Sequence, residues 1–253
     1  MSNRSRWLWT RPRPKPAKPT FRFVACSGLL IEFGDRIDET VYERVDALHE
    51  AVLRAKPAGV IEVIPSYTTL LLRFDPVAID GADLVDEIRE LAESSESRTV
   101  EHRTWNIPVS YGGELGFDLA EVAAHCGLSP EAVVARHAGA TYTICMFGFL
   151  PGFAYLAGLP DELAMPRRTT PRGLAPGGII AIGGAQTAIG SIAGPSGWNI
   201  IGQTPVRTFD RARNPTTFLA PGDRVRFVAI DAATYDALAE RAAQGEIIAA
   251  RAP

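Results

Sequence analysis

The sequence predicts an α+β domain followed by a mainly β domain. In the first part of the chain, short strand-like apolar runs alternate with two segments whose apolar residues recur at helical spacing. After residue 148, short strand-like runs follow one another between turns rich in glycine and proline. At 253 residues, with 46% hydrophobic and 22% charged side chains, the chain is long enough for two ordinary globular domains.

The first domain is predicted at residues 21–95, with the element order ββαββα. FRFVACS and LLIEFG are its first strands, and GVIEVIP and TTLLLRF form a hairpin around a Pro-Ser-Tyr turn at residues 65–67. Asp38 caps the first helix, and Leu84, Ile88 and Leu91 are the buried positions of the second. This order implies an antiparallel sheet with its helices on one face.

We place the domain boundary in the polar segment ESSESR, residues 93–98, and the second domain at 99–231. Its first strand, HRTWNIPVSYGG, is followed by a helical pair at 118–126 and 129–137. Asp118 with Glu121 forms a capping box variant, and Ser129 caps the second helix. Residues 232–253 are set apart as a C-terminal helix and tail, with Asp231 as its cap.

The helical pair also resembles a helix-turn-helix. A recognition helix normally offers Arg, Lys, Asn or Gln to DNA, whereas the second helix here offers Glu131, Arg136 and His137 among alanines and valines. Residues 1–20 carry six basic side chains and no acid, which leaves 20 basic and 29 acidic side chains elsewhere. The acidic body disfavours nucleic acid as a partner, and the basic, proline-rich residues 1–20 are predicted to form a disordered tail.

Two further sequence features bear on location. No apolar run approaches the roughly 20 residues of a membrane span, and the first residues contain no apolar segment of signal-peptide type. Three cysteines without a CxxC pair argue against a disulfide framework or a zinc site. We therefore expect a cytoplasmic protein without a membrane partner.

The stretch from Met146 to Thr204 holds the most informative pattern. It contains 12 of the 23 glycines of the chain. Between Leu163 and Phe209 the sequence has no Asp, Glu, Lys or His, but it has four arginines. A long segment whose only charges are guanidinium groups indicates a site for an anion or carboxylate. The alternative is a glycine-rich β-domain with solvated arginines.

Candidate site residues in and beside this stretch fall into two groups. The predicted substrate-binding residues are Phe149, Pro151, Gly152, Phe153, Tyr155, Gln186 and Trp198. The predicted catalytic residues are His137, Arg167 and Arg172. Prolines hold the backbone before both arginines extended, so less entropy is lost when these side chains clamp a carboxylate or phosphate. The alternative is that the arginines pair with acids of the first domain.

The other candidates also have structural interpretations. The aromatic residues either wall a ligand pocket or fill the core, Gln186 binds an amide or caps a turn, and Trp198 is a packing residue or a pocket floor. His137 has an ordinary pKa of about 6.5 and is either a general base or a histidine favoured by a helix C-terminus. The sequence contains no P-loop, no GxSxG elbow and no cluster with metal-ligand spacing, so no metal is expected.

Several blocks of this sequence, in order, resemble one family. The blocks are IPVSYGGELGFDL, GFLPGFAYL, PRRTTPR, GGAQT, GPSGWNIIGQTP and PGDRVRF. They resemble the family of the 5-oxoprolinase B subunit, which is also labelled allophanate hydrolase subunit 1, includes a sporulation kinase inhibitor, and has a carboxyltransferase domain of the C/D type. The resemblance covers roughly Phe21 to Ile230.

The resemblance implies a cyclophilin-like β-barrel and an ATP-dependent hydrolase that opens 5-oxo-L-proline to L-glutamate. ATP, with Mg²⁺, would be a co-substrate. The partners implied are two further subunits, a homologous one designated C and a separate one designated A, and the isolated chain is expected to be inactive. Two other functions remain open: a protein that inhibits a histidine kinase, and one component of an allophanate hydrolase. The chain lacks the Ser-Ser-Lys signature of amidases, which disfavours the latter.

Overall fold

The computed structural model describes residues 18–35, 39–95 and 102–252. The chain divides into two compact units, one on either side of the bond between Ser97 and Arg98. The predicted cap at Asp38, residues 1–17 of the predicted tail and residues 96–98 of the predicted boundary segment lie outside the described residues.

The first unit contains an antiparallel sheet and two helices, as predicted for an α+β domain. Its elements are β1 (Thr20–Val24), β2 (Gly28–Glu32), α1 (Glu39–Ala55), β3 (Val60–Pro65), β4 (Thr69–Phe74) and α2 (Gly81–Ser95). The strands lie in the order β1-β2-β4-β3, and each neighbouring pair is antiparallel. Helix α2 buries Leu84 and Ile88 as expected, but its third buried apolar position is Ala92, and Leu91 is only partly buried.

The second unit is built on a closed β-barrel. Its elements are β5 (Thr104–Tyr111), α3 (Leu119–Cys126), α4 (Pro130–Gly139), β6 (Thr141–Phe147), β7 (Ala154–Ala157), β8 (Arg172–Ala175), β9 (Ile179–Gly183), β10 (Gln186–Ile189), β11 (Gly194–Ser196), β12 (Asn199–Gln203), β13 (Arg224–Ile230), α5 (Ala232–Ala243) and β14 (Ala250–Arg251). Strands β12-β9-β10-β7-β6-β13-β5 are hydrogen-bonded in that order, and pairing of β12 with β5 closes the ring. The mainly β prediction is confirmed.

Strand β5 has neighbours from distant parts of the sequence. It runs parallel to β13, with Trp105 beside Val225, and it pairs antiparallel with β14. Within the predicted C-terminal helix and tail, residues 232–253, β14 extends the barrel sheet through the pairs Ala250–Asn106 and Arg251–Trp105.

The helical pair α3 and α4 contributes to the barrel core. Leu119 and Val122 of α3 and Val133 of α4 belong to the apolar cluster that fills the barrel. The Ser129 hydroxyl accepts a hydrogen bond from the Ala132 amide at 3.2 Å, which confirms the predicted cap of α4. These packed apolar faces give the pair a structural role in the barrel.

Two other features of the described residues complete the fold. Asp231 caps α5 as predicted, accepting from the Thr234 amide at 2.7 Å. Cys26, Cys126 and Cys145 are all free. Not one of the described helices has both the length and the apolar character needed to cross a membrane.

Candidate functional site

Four barrel strands present a second apolar surface on their outer face. Along β9, Ile180 and Ile182 point into the barrel core, whereas Ala181 belongs to a separate cluster on the opposite side of the strand. In β10, Ala188 belongs to the same outer cluster and lies beside Ala181. Because Ala181 and Ala188 are small, large rings have room to pack against this part of the barrel wall.

Four predicted aromatic residues meet on this outer face. Phe153 lies 4.9 Å from Tyr155 and 5.7 Å from Phe149, measured between ring centroids. Trp198 lies 5.8 Å from Tyr155 and 6.5 Å from Phe153. Phe153 and Trp198 are buried, Tyr155 is half-buried and Phe149 is exposed. The aromatic residues around the Pro151–Gly152 turn and Trp198, which is distant in sequence, therefore form one aromatic cluster. It is open to solvent at Phe149.

Arg167 completes this cluster and carries an available positive charge. Its guanidinium carbon lies 5.0 Å from the centre of the Trp198 ring, a cation–π arrangement. Burial raises the pKa of the Tyr155 hydroxyl, and the positive charge of Arg167 opposes that rise. Arg167 is exposed, and within the described part of the chain it forms no ion pair. We call Phe149, Phe153, Tyr155, Trp198 and Arg167 the aromatic–arginine face.

Gly183 sets the position of Trp198. A β-carbon on Gly183 would lie 2.5 Å from Cδ2 of Trp198 and 2.8 Å from Cε2. Alanine here is expected to displace the indole ring and to lower the free energy of unfolding by about 1–3 kcal/mol. Urea unfolding and the tryptophan emission maximum would measure both effects. Gly173→Ala is the matched control, because a β-carbon there meets nothing within 4 Å, and equal results for the two variants would contradict the prediction.

Arg172, which the sequence predicts as a clamp for a carboxylate or phosphate, is engaged with a carboxylate of this chain. Its Nη2 donates to Oδ1 of Asp118 at 2.5 Å, and its guanidinium carbon lies 4.7 Å from the centre of the Phe117 ring. Asp118, the acid that Arg172 pairs with, belongs to the barrel unit and not to the first domain. Arg172 therefore stabilises the surroundings of the aromatic–arginine face.

Asp118 has a different role from the predicted helix cap. Its side chain makes no capping hydrogen bond to α3. Instead, Oδ2 accepts from the amide of Ile200 at 2.7 Å, and Oδ1 accepts from Arg172 and, at 3.3 Å, from Arg168. Glu121, the other predicted member of the capping box, also accepts from Nη1 of Arg168, at 3.1 Å. The buried Asp118 carboxylate therefore links the segment that contains Arg168 and Arg172 to β12.

Arg168 and Asp118 were not among the predicted site residues, although Arg168 is one of the four arginines of the stretch. A signal for both was available: a segment that contains arginines and no acid must find its counter-charges elsewhere in the chain. Asp118 is the only acid within the resembling block IPVSYGGELGFDL besides Glu114. Only the fold shows that this block lies beside residues 168–172.

Three further predicted binding residues lie around this cluster or beyond it. Gln186 pairs with Gly183 at the start of β10, so it lies at the edge of the same outer face. Gly152 has φ of +72°, and its carbonyl accepts from the Thr208 hydroxyl at 2.9 Å. Pro151, next to Gly152 in the turn, lines a cavity with Arg207.

His137 lies apart from the other candidates, inside the barrel unit. Its ring is fully buried, 4.8 Å from the Phe227 ring and stacked on it. Tyr111 Oη lies 2.9 Å from Nδ1, and Thr187 Oγ1 lies 3.1 Å from Nε2. Because Thr187 donates its hydroxyl proton to the Ala181 carbonyl, it accepts from Nε2, and the Tyr111 hydroxyl donates to Nδ1. Both nitrogens of a neutral ring are therefore satisfied.

His137 lies in the last turn of α4, as its structural interpretation expected, and its environment bears on the predicted role as a general base. A general base needs a nitrogen that a substrate can reach, and neither nitrogen is accessible. A helix C-terminus favours the protonated ring, but burial dominates here and lowers the pKa of His137 from its usual value to about 3. We therefore assign His137 to the packing of the barrel.

Comparison with known proteins identifies similar sequences over most of the chain. Residues 19–219 match the sequence model of the carboxyltransferase domain, subdomain C and D. The chain is 38% identical over 228 residues to the 5-oxoprolinase B subunit of Bacillus subtilis (strain 168), which covers 85% of this chain and 94% of that protein. It is 46% identical over 172 residues to the 5-oxoprolinase B subunit of Escherichia coli O157:H7, which covers 67% of this chain and 78% of that protein.

Solved structures resemble the chain as well. The crystal structure of TTHA0988 in space group P212121 has a TM-score of 0.73 and 39% identity, and covers 81% of this chain and 40% of that chain. The chain therefore spans about two fifths of the length of TTHA0988. The crystal structure of the urea amidolyase of K. lactis has a TM-score of 0.75 but 17% identity, and covers 92% of this chain and 16% of that chain. At that identity it shows a shared fold alone.

Proposed function

We propose a function from one premise: the chain belongs to the family of the 5-oxoprolinase B subunit, with a carboxyltransferase domain of subdomain C and D type. On that premise it is one of the subunits of an ATP-dependent 5-oxoprolinase that opens 5-oxo-L-proline to L-glutamate. Its relatives at 38% and 46% identity both carry the name of this component of that enzyme. This support does not extend to the kinase-inhibitor or allophanate hydrolase functions.

The proposed reaction activates the lactam before water attacks it. Transfer of the terminal phosphoryl group of ATP to the lactam oxygen makes the ring carbon electrophilic. ADP leaves in this transfer. One water molecule then adds to that carbon, the C–N bond breaks and the nitrogen gains a proton, which gives an acyl phosphate. A second water molecule hydrolyses the acyl phosphate to glutamate and phosphate. Charge on the transferred oxygens and on the substrate carboxylate is stabilised by guanidinium groups.

One observation supports a role for this chain in binding the substrate. The Arg167 guanidinium lies against Trp198 and near Tyr155, and it has no ion-pair partner among the described residues. The rings offer apolar walls to the lactam ring, and Arg167 offers two parallel donors to its carboxylate. Arg172 and Arg168 hold the segment in place through Asp118. We therefore place the substrate at the aromatic–arginine face, with Gln186 at its edge.

The residues of this chain do not fit every group that the reaction needs. The sequence has no P-loop. In residues 18–35, 39–95 and 102–252, no group of three or more His, Cys, Asp or Glu side chains is placed to hold a metal ion. No step of the proposal therefore uses Mg²⁺ held by this chain, and we propose that ATP and the remaining catalytic groups come from partner subunits.

The proposed partners are the homologous C component and the separate A component of the enzyme, and we propose that this chain has no turnover alone. The relatives are named as subunits, which supports an assembly. We also propose that the barrel is cyclophilin-like. A cytoplasmic location is proposed as well, supported by the three free cysteines.

Co-expression with the C and A components tests the function. We expect 5-oxoproline-dependent ATP hydrolysis from the assembled complex of all three proteins. A loss of kcat/KM of about 10- to 100-fold is expected in Arg167→Ala, since a charge-assisted hydrogen bond to substrate is lost. Arg167→Lys should recover little, because lysine lacks the planar fork that stacks on Trp198.

Arg226→Ala is the matched control, because Arg226 is an exposed arginine on β13. Its kcat/KM should equal that of the parent complex. A stable complex without turnover on 5-oxoproline would refute the substrate assignment. Full activity in an assembled Arg167→Ala complex would refute the site.

A further inference from the structure

A second candidate site lies beside the Pro151–Gly152 turn, and no residue of the aromatic–arginine face lines it. It is a cavity of about 470 Å³, which is within the roughly 300–1,000 Å³ range of small-molecule sites. Pro151, Ile192 and Phe209 supply its apolar walls. Arg207, Asp210 and Arg211 supply its charges.

The segment that carries these charges is held from within by one arginine. Nη2 of Arg213 donates to the carbonyl oxygens of Arg207, Thr208 and Thr216, at 3.1, 3.3 and 3.0 Å. The guanidinium carbon of Arg213 also lies 5.1 Å from the centre of the Phe218 ring. The backbone that presents Arg207, Asp210 and Arg211 is therefore fixed before any ligand arrives.

The opposite wall is fixed as well. The Ser191 hydroxyl donates to the Pro151 carbonyl at 2.5 Å, which joins the loop before β11 to the turn before β7. A β-carbon on Gly152 would lie 2.6 Å from the Phe209 β-carbon, so the turn and the charged segment are in direct contact. The cavity therefore lies between two segments whose conformations are each held by hydrogen bonds within the protein.

The three charges around this cavity have no ionic partners within the described part of the chain. Neither Arg207 nor Arg211 is within ion-pair distance of an acid there. Among the described residues, the Asp210 carboxylate accepts only from the Ala212 amide, at 2.9 Å. Two cations and one anion beside apolar walls match a ligand that has two carboxylates, one ammonium group and a short hydrocarbon backbone.

We propose that this cavity binds an acidic amino acid, with its two carboxylates on Arg207 and Arg211 and its ammonium group on Asp210. The identification of this ligand as L-glutamate, the product of ring opening, rests on the proposed function. The lactam substrate has one carboxylate and no ammonium group, so it makes fewer of these contacts. The site is separate from the aromatic–arginine face and gives this chain a means of holding product.

Isothermal titration calorimetry of the full chain tests this proposal with four probes: L-glutamate, glutarate, 5-oxo-L-proline and inorganic phosphate. We expect L-glutamate to bind about 10- to 100-fold more tightly than the other three, because only it engages all three charges. Arg207→Gln and Arg211→Gln should each weaken L-glutamate by a similar factor. Arg226→Gln, an exposed arginine on β13, should change nothing.

Asp210→Asn provides the sharpest variant, because glutarate is glutamate without its ammonium group. In that variant the preference for L-glutamate over glutarate should disappear, while binding of glutarate is retained. Retained glutarate binding also shows that the variant is folded. No heat with millimolar L-glutamate, phosphate binding as tight as glutamate, or an unchanged preference in Asp210→Asn would each overturn the proposal.

The two proposals fail separately. If the complex of all three proteins turns over 5-oxoproline but the chain binds no glutamate, the cavity assignment is wrong and the function stands. If glutamate binds with the expected selectivity but the complex shows no turnover, the acidic amino acid site stands and the role as a product site is lost.

Discussion

Replacing Asp118 with alanine is expected to lower the free energy of unfolding of the barrel unit by about 3 kcal/mol. Asp118 is only 3% exposed, and its carboxylate accepts from Arg168, Arg172 and the Ile200 amide. Its removal leaves the Arg172 guanidinium and the Ile200 amide without this acceptor, and leaves Arg168 with Glu121 as its remaining carboxylate partner among the described residues. Both arginine side chains are about a quarter exposed, so water can solvate part of the charge that Asp118 no longer balances. The expected loss of stability is therefore at the lower end of the range for breaking a buried ion pair.

Urea unfolding followed by tryptophan fluorescence measures this cost, since Trp105 and Trp198 both lie in the barrel unit. Glu121→Ala is the matched control, because Glu121 is an exposed partner of the same Arg168 and should contribute about 0–1 kcal/mol. Asp118→Asn should fall between the two, since it keeps an acceptor for Ile200 but loses the charge. Equal losses in Asp118→Ala and Glu121→Ala would show that Asp118 is not the anchor.

Local features of the fold followed from the sequence because they depend on neighbouring residues. Alternating or continuous apolar runs predicted the strands, and Ser129 and Asp231 predicted two helix starts that the structure shows. The family resemblance implied a barrel, but the apolar pattern did not predict which strands pair to close it, because that depends on pairing between distant segments. The parallel pairing of β5 with β13 and the addition of β14 to β5 are of this kind.

The candidate site was also predictable only in part: its residues could be identified from the sequence, but the pairing among them could not. Composition drew attention to the arginine-containing stretch, and four aromatic residues within it do meet on one face. What composition does not show is which charge is already neutralised. Among the described residues Arg172 has an ionic partner and Arg167 does not, and the acid that makes this difference is Asp118, about fifty residues earlier in the chain. The sequence therefore indicates the site, and the fold assigns the roles within it.

His137 is expected to make the barrel unit less stable as the pH falls below 6.5. Burial holds the pKa of the folded-state ring at about 3, whereas the unfolded chain has the ordinary value of about 6.5. Between these values the unfolded state binds a proton that the folded state does not, so stability is fully present above pH 6.5 and declines toward pH 3. The expected loss from this one group is about 2 kcal/mol between pH 7 and pH 5.

Comparison with His137→Gln isolates this effect from the other titrating groups. The side chains that contact the ring, Tyr111, Tyr142, Thr187 and Phe227, carry no charge near pH 5. Glutamine retains a polar side chain but does not titrate, so the variant should be less stable at pH 7 yet lose about 2 kcal/mol less on acidification than the parent chain. Urea unfolding at pH 7, 6 and 5 measures the difference. Parallel pH dependences for the two proteins would mean that His137 reaches solvent in the folded state, which would reopen its assignment as a general base.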